Sequence, residues 1–187
     1  MHPFFAVGEQ LIREAIEGNP NKFFLAGYYE KLGAFRARAG QQGEAIELFR
    51  TAIASRTPQF GTLLTELDLA TELLSRQGAE DIEEAAEVLA SQPCQDILMN
   101  VDRFRWHFLM SVLRLLQENA SDAINHAEQA LALAGIEAPQ FPRHPDVGRV
   151  NAPTDWLINL RSIISEAESV SSARSLPDKD WIPKRRS

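Results

Sequence analysis

Residues 29–58 read YEKLGAFRARAGQQGEAIELFRTAIASRTP, and the spacing of small and bulky residues within them decides the fold. Gly33 and Ala45 stand on either side of a polar turn around Gly40 and Gly43, with Leu32, Ile46 and Phe49 as their bulky neighbours. Two antiparallel helices approach closely only where the facing side chains are small, and large apolar side chains then fill the seam between them. The stretch therefore predicts a helical hairpin packed on Gly33 and Ala45. Pro58 closes it, because proline lacks the N–H that the next helical turn would need.

The same organisation extends in both directions. Upstream, Gly8, Ile12, Ala15 and Pro20 fall at the offsets of a second helix whose partner is missing, with Asn19-Pro20 as its stop. Downstream, a helix is expected from Gly61 to Arg76 with Leu69-Ala70 in the place of Leu32-Gly33, followed by Gly78 and a helix from Ile82 to Ser91 carrying Ala86 and Leu89. Pro93 ends that pair. A third pair is expected over Gln95 to Gln117 and Ser121 to Ala134, with Ser111 in the small position, a turn at Asn119 to Ser121, and Ala123, Ala127 and Ala130 as the packing face. No segment alternates apolar and polar residues as a half-buried strand would, so the chain reads as all-α.

In the order bulky residue, Leu-Gly, bulky residue, Ala, aromatic, Pro, the chain supplies Tyr29, Leu32-Gly33, Arg36, Ala45, Phe49 and Pro58. This one unit resembles the tetratricopeptide (TPR) repeat, with Tyr29 where Trp is usual and Arg36 where Tyr is usual. The resemblance implies an α-α superhelix of antiparallel helix pairs with a C-terminal capping helix. It places a repeat domain over 1–168, made of a half-repeat at 4–20, units at about 22–58, 59–93 and 95–134, a Pro-rich loop at 135–153 and a capping helix at 154–168, before a mobile tail at 169–187. Thr154-Asp155 read as the start of that last helix, and Trp156, Leu157, Leu160, Ile163, Ile164 and Ala167 as its apolar stripe. The loop before it carries Pro139, Pro142, Pro145 and Pro153, which forbid regular helix.

Composition bounds the function. The 187 residues are 44% apolar and 24% charged, ordinary for a globular domain, and no apolar run reaches the length of a membrane span. A cytoplasmic protein without a secretory signal is expected. The net charge of −7 argues against broad nucleic-acid binding, and the basic cluster Lys184-Arg185-Arg186 reads as a solvated tail. Cys94 is the only cysteine, so neither an internal disulfide nor a cysteine-built zinc site is available, and it reads as a small core or linker residue. His2, His107, His126 and His144 show no metal-ligand spacing, and no nucleophile elbow, phosphate loop or dinucleotide fingerprint occurs. No cofactor, metal or catalytic residue is expected.

What the TPR resemblance implies is a noncatalytic scaffold or regulatory module that binds a protein or peptide partner in a concave groove lined by the first helix of each pair. It nominates Glu30, Lys31 and Arg38 from the first full unit, Asp68 from the second, and Arg105 and Phe108 from the third. Of the places where one TPR class holds a C-terminal carboxylate, only Arg105 is suitably charged, so that activity is not expected. The helix around Phe104, Trp106, Phe108, Met110 and Leu113 is apolar on nearly every side and must be covered, by the Pro-rich loop and the Trp156 helix or by a partner. Arg103, His107 and Arg114 form a row that could face an acidic partner. The apolar residues Phe4, Phe5, Val7, Leu11, Ile12 and Ala15 predict self-association through the N-terminal edge, or further upstream helices; the alternative is that Phe4 and Phe5 fold back on Phe23 and Phe24. An alternative of another class is a ligand-sensing or enzymatic helical domain, with its site around Arg105, Arg143 and His144.

Overall fold

The computed structural model describes residues 3–18, 22–56 and 63–170. Among them there are eight α-helices, one short 3-10 helix and no strand. The helices are α1 (Pro3–Gly18), α2 (Lys22–Arg38), α3 (Gln42–Ala54), α4 (Leu63–Arg76), α5 (Ala79–Ala90), α6 (Asn100–Leu116), α7 (Ala120–Ala134) and α8 (Thr154–Val170). The chain divides into two compact units, with the boundary at Leu73/Leu74 inside α4. No described helix is long and apolar enough to cross a membrane. Asn19-Pro20, Pro58, Gly61 and the tail from Ser171, including Trp181-Ile182, lie outside the described residues, as do the side chains of Phe4, Phe5 and Phe23.

In the first unit α2 and α3 pack antiparallel, as the opening stretch predicts. Leu32, Ala45, Ile46, Phe49 and Ala52 are buried to 2% exposure or less. A Cβ on Gly33 would lie 2.6 Å from Phe49 Cε1, closer than atoms pack, so the absence of a side chain is what lets the Phe49 ring enter the seam. The turn is made by Gly40 at φ +73°, a left-handed conformation that favours glycine. Arg36, the departure from the repeat signature, bonds to Glu9 of α1 and to Gln41 Oε1 at 2.6 Å, tying α1 to the hairpin by charge. Gly8 of α1 faces Phe35, where a Cβ would make ordinary contact with Cζ at 3.4 Å.

The turn recurs. Gly40, Gln77 and Glu118 are each left-handed, each stands two residues before the start of a second helix, and each follows at the same interval the small residues Gly33, Ala70 and Ser111. Ala70 and Ser111 are both fully buried. Only the first of the three turns has glycine at the left-handed position. Asn119 then caps α7, its Oδ1 accepting from Asp122 N at 3.2 Å.

Two boundaries differ from expectation. Helix α5 starts at Ala79, not Ile82, because Gly78 supplies an extended residue and the acidic Glu80 and Asp81 suit the first turn; Arg76 Nε meets Asp81 there at 3.0 Å. Helix α6 starts at Asn100, not Gln95. Pro93 leads into a 3-10 turn at Cys94–Asp96, and Ile97 and Met99 are extended. Side chains hold that extended segment open: Arg103 Nε donates to Ile97 O at 2.6 Å, and Gln140 Nε2 donates to Leu98 O at 2.7 Å while its Oε1 accepts from Asn100 N at 2.9 Å. Gln140 thereby anchors the Pro-rich loop to the start of α6. Gly148 makes room for it, with φ +76° and an absent Cβ that would sit 2.2 Å from Gln140 Oε1.

The apolar helix α6 is covered within its own unit. Phe104, Trp106, Phe108 to Leu113 and Leu115 are buried. Trp156 of α8 stacks on Phe108 at 4.6 Å and on Phe104 at 6.0 Å between ring centroids, while Leu160, Ile163 and Ala167 of the same stripe are fully buried. Aromatic pairs of this kind contribute about 0.5–1.5 kcal/mol beyond the area they bury.

Candidate functional site

The residues nominated for a groove divide between the two units. Glu30, Lys31 and Arg38 on α2 and Asp68 on α4 belong to the first; Arg105 and Phe108 on α6 belong to the second. Lys31 and Arg38 are exposed. Glu30 is turned inward, accepting a hydrogen bond from the Thr65 hydroxyl, and Lys31 Nζ lies 4.0 Å from its carboxylate. Asp68 is half-buried. Arg105 lies close enough to Asp102 to oppose the rise that burial imposes on that carboxyl's pKa. Phe108 is only 1% exposed, its ring under Trp156, so it is core in this arrangement.

Of the row Arg103, His107 and Arg114, none simply faces solvent. Arg103 holds the Ile97 carbonyl, Arg114 Nη1 donates to Gln117 Oε1 at 2.8 Å, and His107 enters a cluster that spacing did not reveal. Cys94 Sγ lies 3.2 Å from His107 Nε2, and His107 Nδ1 lies 3.0 Å from His126 Nδ1. Three elements build it. The 3-10 turn after Pro93 presents the thiol, α6 presents His107 and α7 presents His126. Trp106 walls both imidazoles edge-on, at centroid distances of 5.1 and 5.4 Å, and is itself locked by its Nε1 donating to Leu89 O at 3.2 Å.

The hydrogen bonds determine one another. If the thiol donates to His107 Nε2, His107 carries its proton on Nδ1 and donates it to His126 Nδ1, leaving His126 protonated on Nε2. The resulting chain is neutral from end to end. The electrostatics favour that form: burial above all, then the neighbouring His126 and Arg103, push the His107 pKa down to about 4. Burial and Arg114 lower His126 against the opposing pull of Asp122, and burial raises the Cys94 thiol despite Arg103.

Beside this chain opens a cavity of about 330 Å³, with Cys94 and His126 on its wall, Leu89, Trp106 and Met110 as apolar lining, and Arg114 at its edge. That is the size of a small-molecule site. Arg114 Nε is shielded from water and makes no hydrogen bond; its approach to Asp122 Oδ2, 3.9 Å, is too long for one. No group of three or more His, Cys, Asp or Glu among the described residues is arranged to hold a metal ion. The geometry agrees, because His107 offers its two nitrogens in two directions. The alternative site residues Arg143 and His144 are exposed in the Pro-rich loop.

Compared with known proteins, the chain matches no family, no curated protein and no solved structure.

Proposed function

We propose that the protein is a noncatalytic interaction module that presents the α2 face of its first unit to a protein or peptide partner. One observation supports the reading. Phe24, Lys31 and Arg38 recur at helical spacing on α2, all three exposed, while Leu32 and Gly33 of the same helix are buried against α3. A rigid hairpin thus carries an aromatic and two cations in one row. Phe24 is 51% exposed. A row of that kind fits a helical or extended peptide with an apolar anchor and acidic flanks. Glu30, midway along α2, accepts a hydrogen bond from the Thr65 hydroxyl and braces the helix there.

The test is quantitative affinity capture from cells that express the protein, comparing the wild type with a Lys31→Glu, Arg38→Glu double variant. Charge reversal should abolish capture of at least one specific partner while circular dichroism and the denaturation midpoint stay unchanged. A folded double variant that retains every specific partner, or a wild type that captures nothing above the matrix, would refute the reading.

A further inference from the structure

The cavity walled by α5, α6 and α7 of the second unit plays no part in the interaction reading, which rests on α2 of the first. Its lining is mostly apolar: Ala86, Leu89 and Ala90 come from α5, and Trp106, Met110 and Leu113 from α6. Cys94 and His126 complete the wall, and burial favours the neutral form of each. Such a lining suits an apolar side chain better than an ion. A cavity of roughly 150 Å³ already holds a benzene ring. One of about 330 Å³ therefore has room for an indole. The α5 edge is different in kind, because this helix carries five acidic residues and no basic one. Glu83 and Glu87 each stand three residues before a wall residue, Ala86 and Ala90, and positions so spaced are neighbours on a helix surface. Both carboxylates are exposed, and neither is ion-paired among the described residues. Arg114 of α6 also borders the cavity, so an occupant's own cations belong on the α5 side.

A site that is apolar within and acidic along one edge calls for an apolar anchor followed by cations. The chain carries that order in Trp181-Ile182-Pro183-Lys184-Arg185-Arg186, which holds its only three consecutive cations. We propose that the cavity is the docking site of this C-terminal segment of the same chain, with the Trp181 indole in the cavity and Lys184, Arg185 and Arg186 along Glu83 and Glu87. The tether is long enough. Helix α8 ends at Val170 and packs on α7, the helix whose His126 lines the cavity. Residues 171–180 then span up to about 35 Å when extended, more than the roughly 25 Å length of α6. Tethering also makes a weak contact sufficient. A short flexible linker holds its segment at roughly millimolar effective concentration, so a segment whose free peptide has a Kd near 0.1 mM occupies the site about 90% of the time. The ionic share of the contact weakens as salt rises, and the indole share does not.

The experiment uses the full chain labelled with 5-fluorotryptophan, whose fluorine NMR spectrum carries one signal for each of Trp106, Trp156 and Trp181. Trp181→Ser removes one signal, and it should also shift that of Trp106, which lines the cavity. Trp156, stacked on Phe104 and Phe108, should stay in place and serves as the folding control. In the native wild type the Trp181 signal should be displaced from its position in urea and should not move on dilution. A native Trp181 signal at the urea position overturns the proposal. A displacement lost on dilution gives the cavity to the segment of a second copy and overturns it too. Ala90→Lys places a cation at an exposed part of the wall and should return Trp181 to the urea position while Trp156 is unmoved. A displacement that survives in this variant locates the segment elsewhere, against the proposal. Glu83→Lys with Glu87→Lys should also release Trp181, and adding Lys184→Glu, Arg185→Glu and Arg186→Glu should dock it again. Failure to dock again, with the Trp156 signal native, refutes the charge pairing. Should the reversed protein not fold, salt decides: raising it in the wild type should move Trp181 toward the urea position, and no response removes the cations from the contact.

Discussion

At equal distance past the left-handed residues Gly40 and Glu118, the α2–α3 hairpin places Phe49 and the α6–α7 hairpin places Ala127. The facing small residues differ too, Gly33 in the first and Ser111 in the second. In the first hairpin the Phe49 ring fills the gap that Gly33 leaves, and the fully buried residues of the seam are apolar, with Arg36 pairing with Glu44 beside them. In the second, Ser111 satisfies itself on the Phe108 carbonyl at 2.7 Å, and the neighbouring positions carry His107 and His126. One device, a small residue followed by a left-handed turn, thus supports two interiors. The first is a packed seam whose purpose is stability, and the second spends part of its interior on polar groups and a cavity.

The largest expected effect breaks the first interior. Phe49→Ala should destabilise by about 3–5 kcal/mol, because the ring is wholly buried and the Gly33 gap would be left empty. Urea denaturation should register the loss, with hydrogen exchange locating it in α2 and α3. A loss below about 1 kcal/mol would mean that the seam collapses around the vacancy and is not packed as described.

Gly33→Ala sharpens the same point from the other side. The added methyl would lie 2.6 Å from a ring that has no room to retreat, so about 1–3 kcal/mol should be lost. Gly33→Ala combined with Phe49→Leu should be less destabilising than the sum of the two single changes, since the smaller side chain vacates the space that the methyl needs. Strict additivity in that cycle would show that the two residues do not meet. The corresponding change in the second hairpin, Ser111→Ala, removes only a hydroxyl bonded within its own helix and should cost less than Gly33→Ala.

The second interior is distinguished by its response to acid. His107 is held near 4 when folded and returns toward 6.5 when unfolded, so between those values the unfolded chain binds more protons. Stability is therefore full above about pH 6.5 and declines as pH falls toward 4, and the lowered His126 contributes in the same direction. Allowing for solvent screening, the change should be roughly 1 kcal/mol. Urea midpoints measured at pH 7, 5.5 and 4.5 would show it, and His107→Gln should flatten the curve. An equal slope in wild type and variant would assign the pH dependence to other groups.

This contrast also explains what the sequence could and could not reveal. The first hairpin was legible because its determinants are local: Gly33, Ala45 and Phe49 act through helical spacing, which one-dimensional order preserves. The stripe from Trp156 to Ala167 was legible for the same reason, and its docking covers Phe104 and Phe108 on the apolar side of α6. The Cys94, His107 and His126 chain was missed because its members come from three elements, and each residue taken singly has an unremarkable explanation. A signal existed. Aligned on the turn residues Gly40 and Glu118, His107 falls where the first unit has Tyr29, a bulky position of the repeat signature, and a polar ring there requires a partner. The start of α6 was misplaced because Gln140, far along the chain, stabilises the extended Leu98 region that Pro93 alone did not predict. The groove residues remain nominations from resemblance, with exposed Lys31 and Arg38 standing apart from buried Phe108.

The smallest effect lies on α8, where the second unit carries another polar group in an apolar setting. Glu166 Oε2 is shielded from water and has no hydrogen-bond partner, and burial raises the carboxyl's pKa above its ordinary value. A raised folded pKa in an acid means that the unfolded chain ionises first. Stability from this group is therefore greatest below the unfolded pKa of about 4.3 and declines as pH rises through the folded value. Glu166→Gln keeps the shape and removes the charge, so at pH 7 it should stabilise slightly, by about 0.5 kcal/mol or less given the partial exposure of the residue. Near pH 3.5, where the wild-type carboxyl is already protonated, the gain should vanish. Paired denaturation curves at the two pH values isolate the effect from any change in packing. A gain of the same size at both would attribute it to helix propensity, and a loss at pH 7 would mean that the carboxylate has a partner that stabilises its charge.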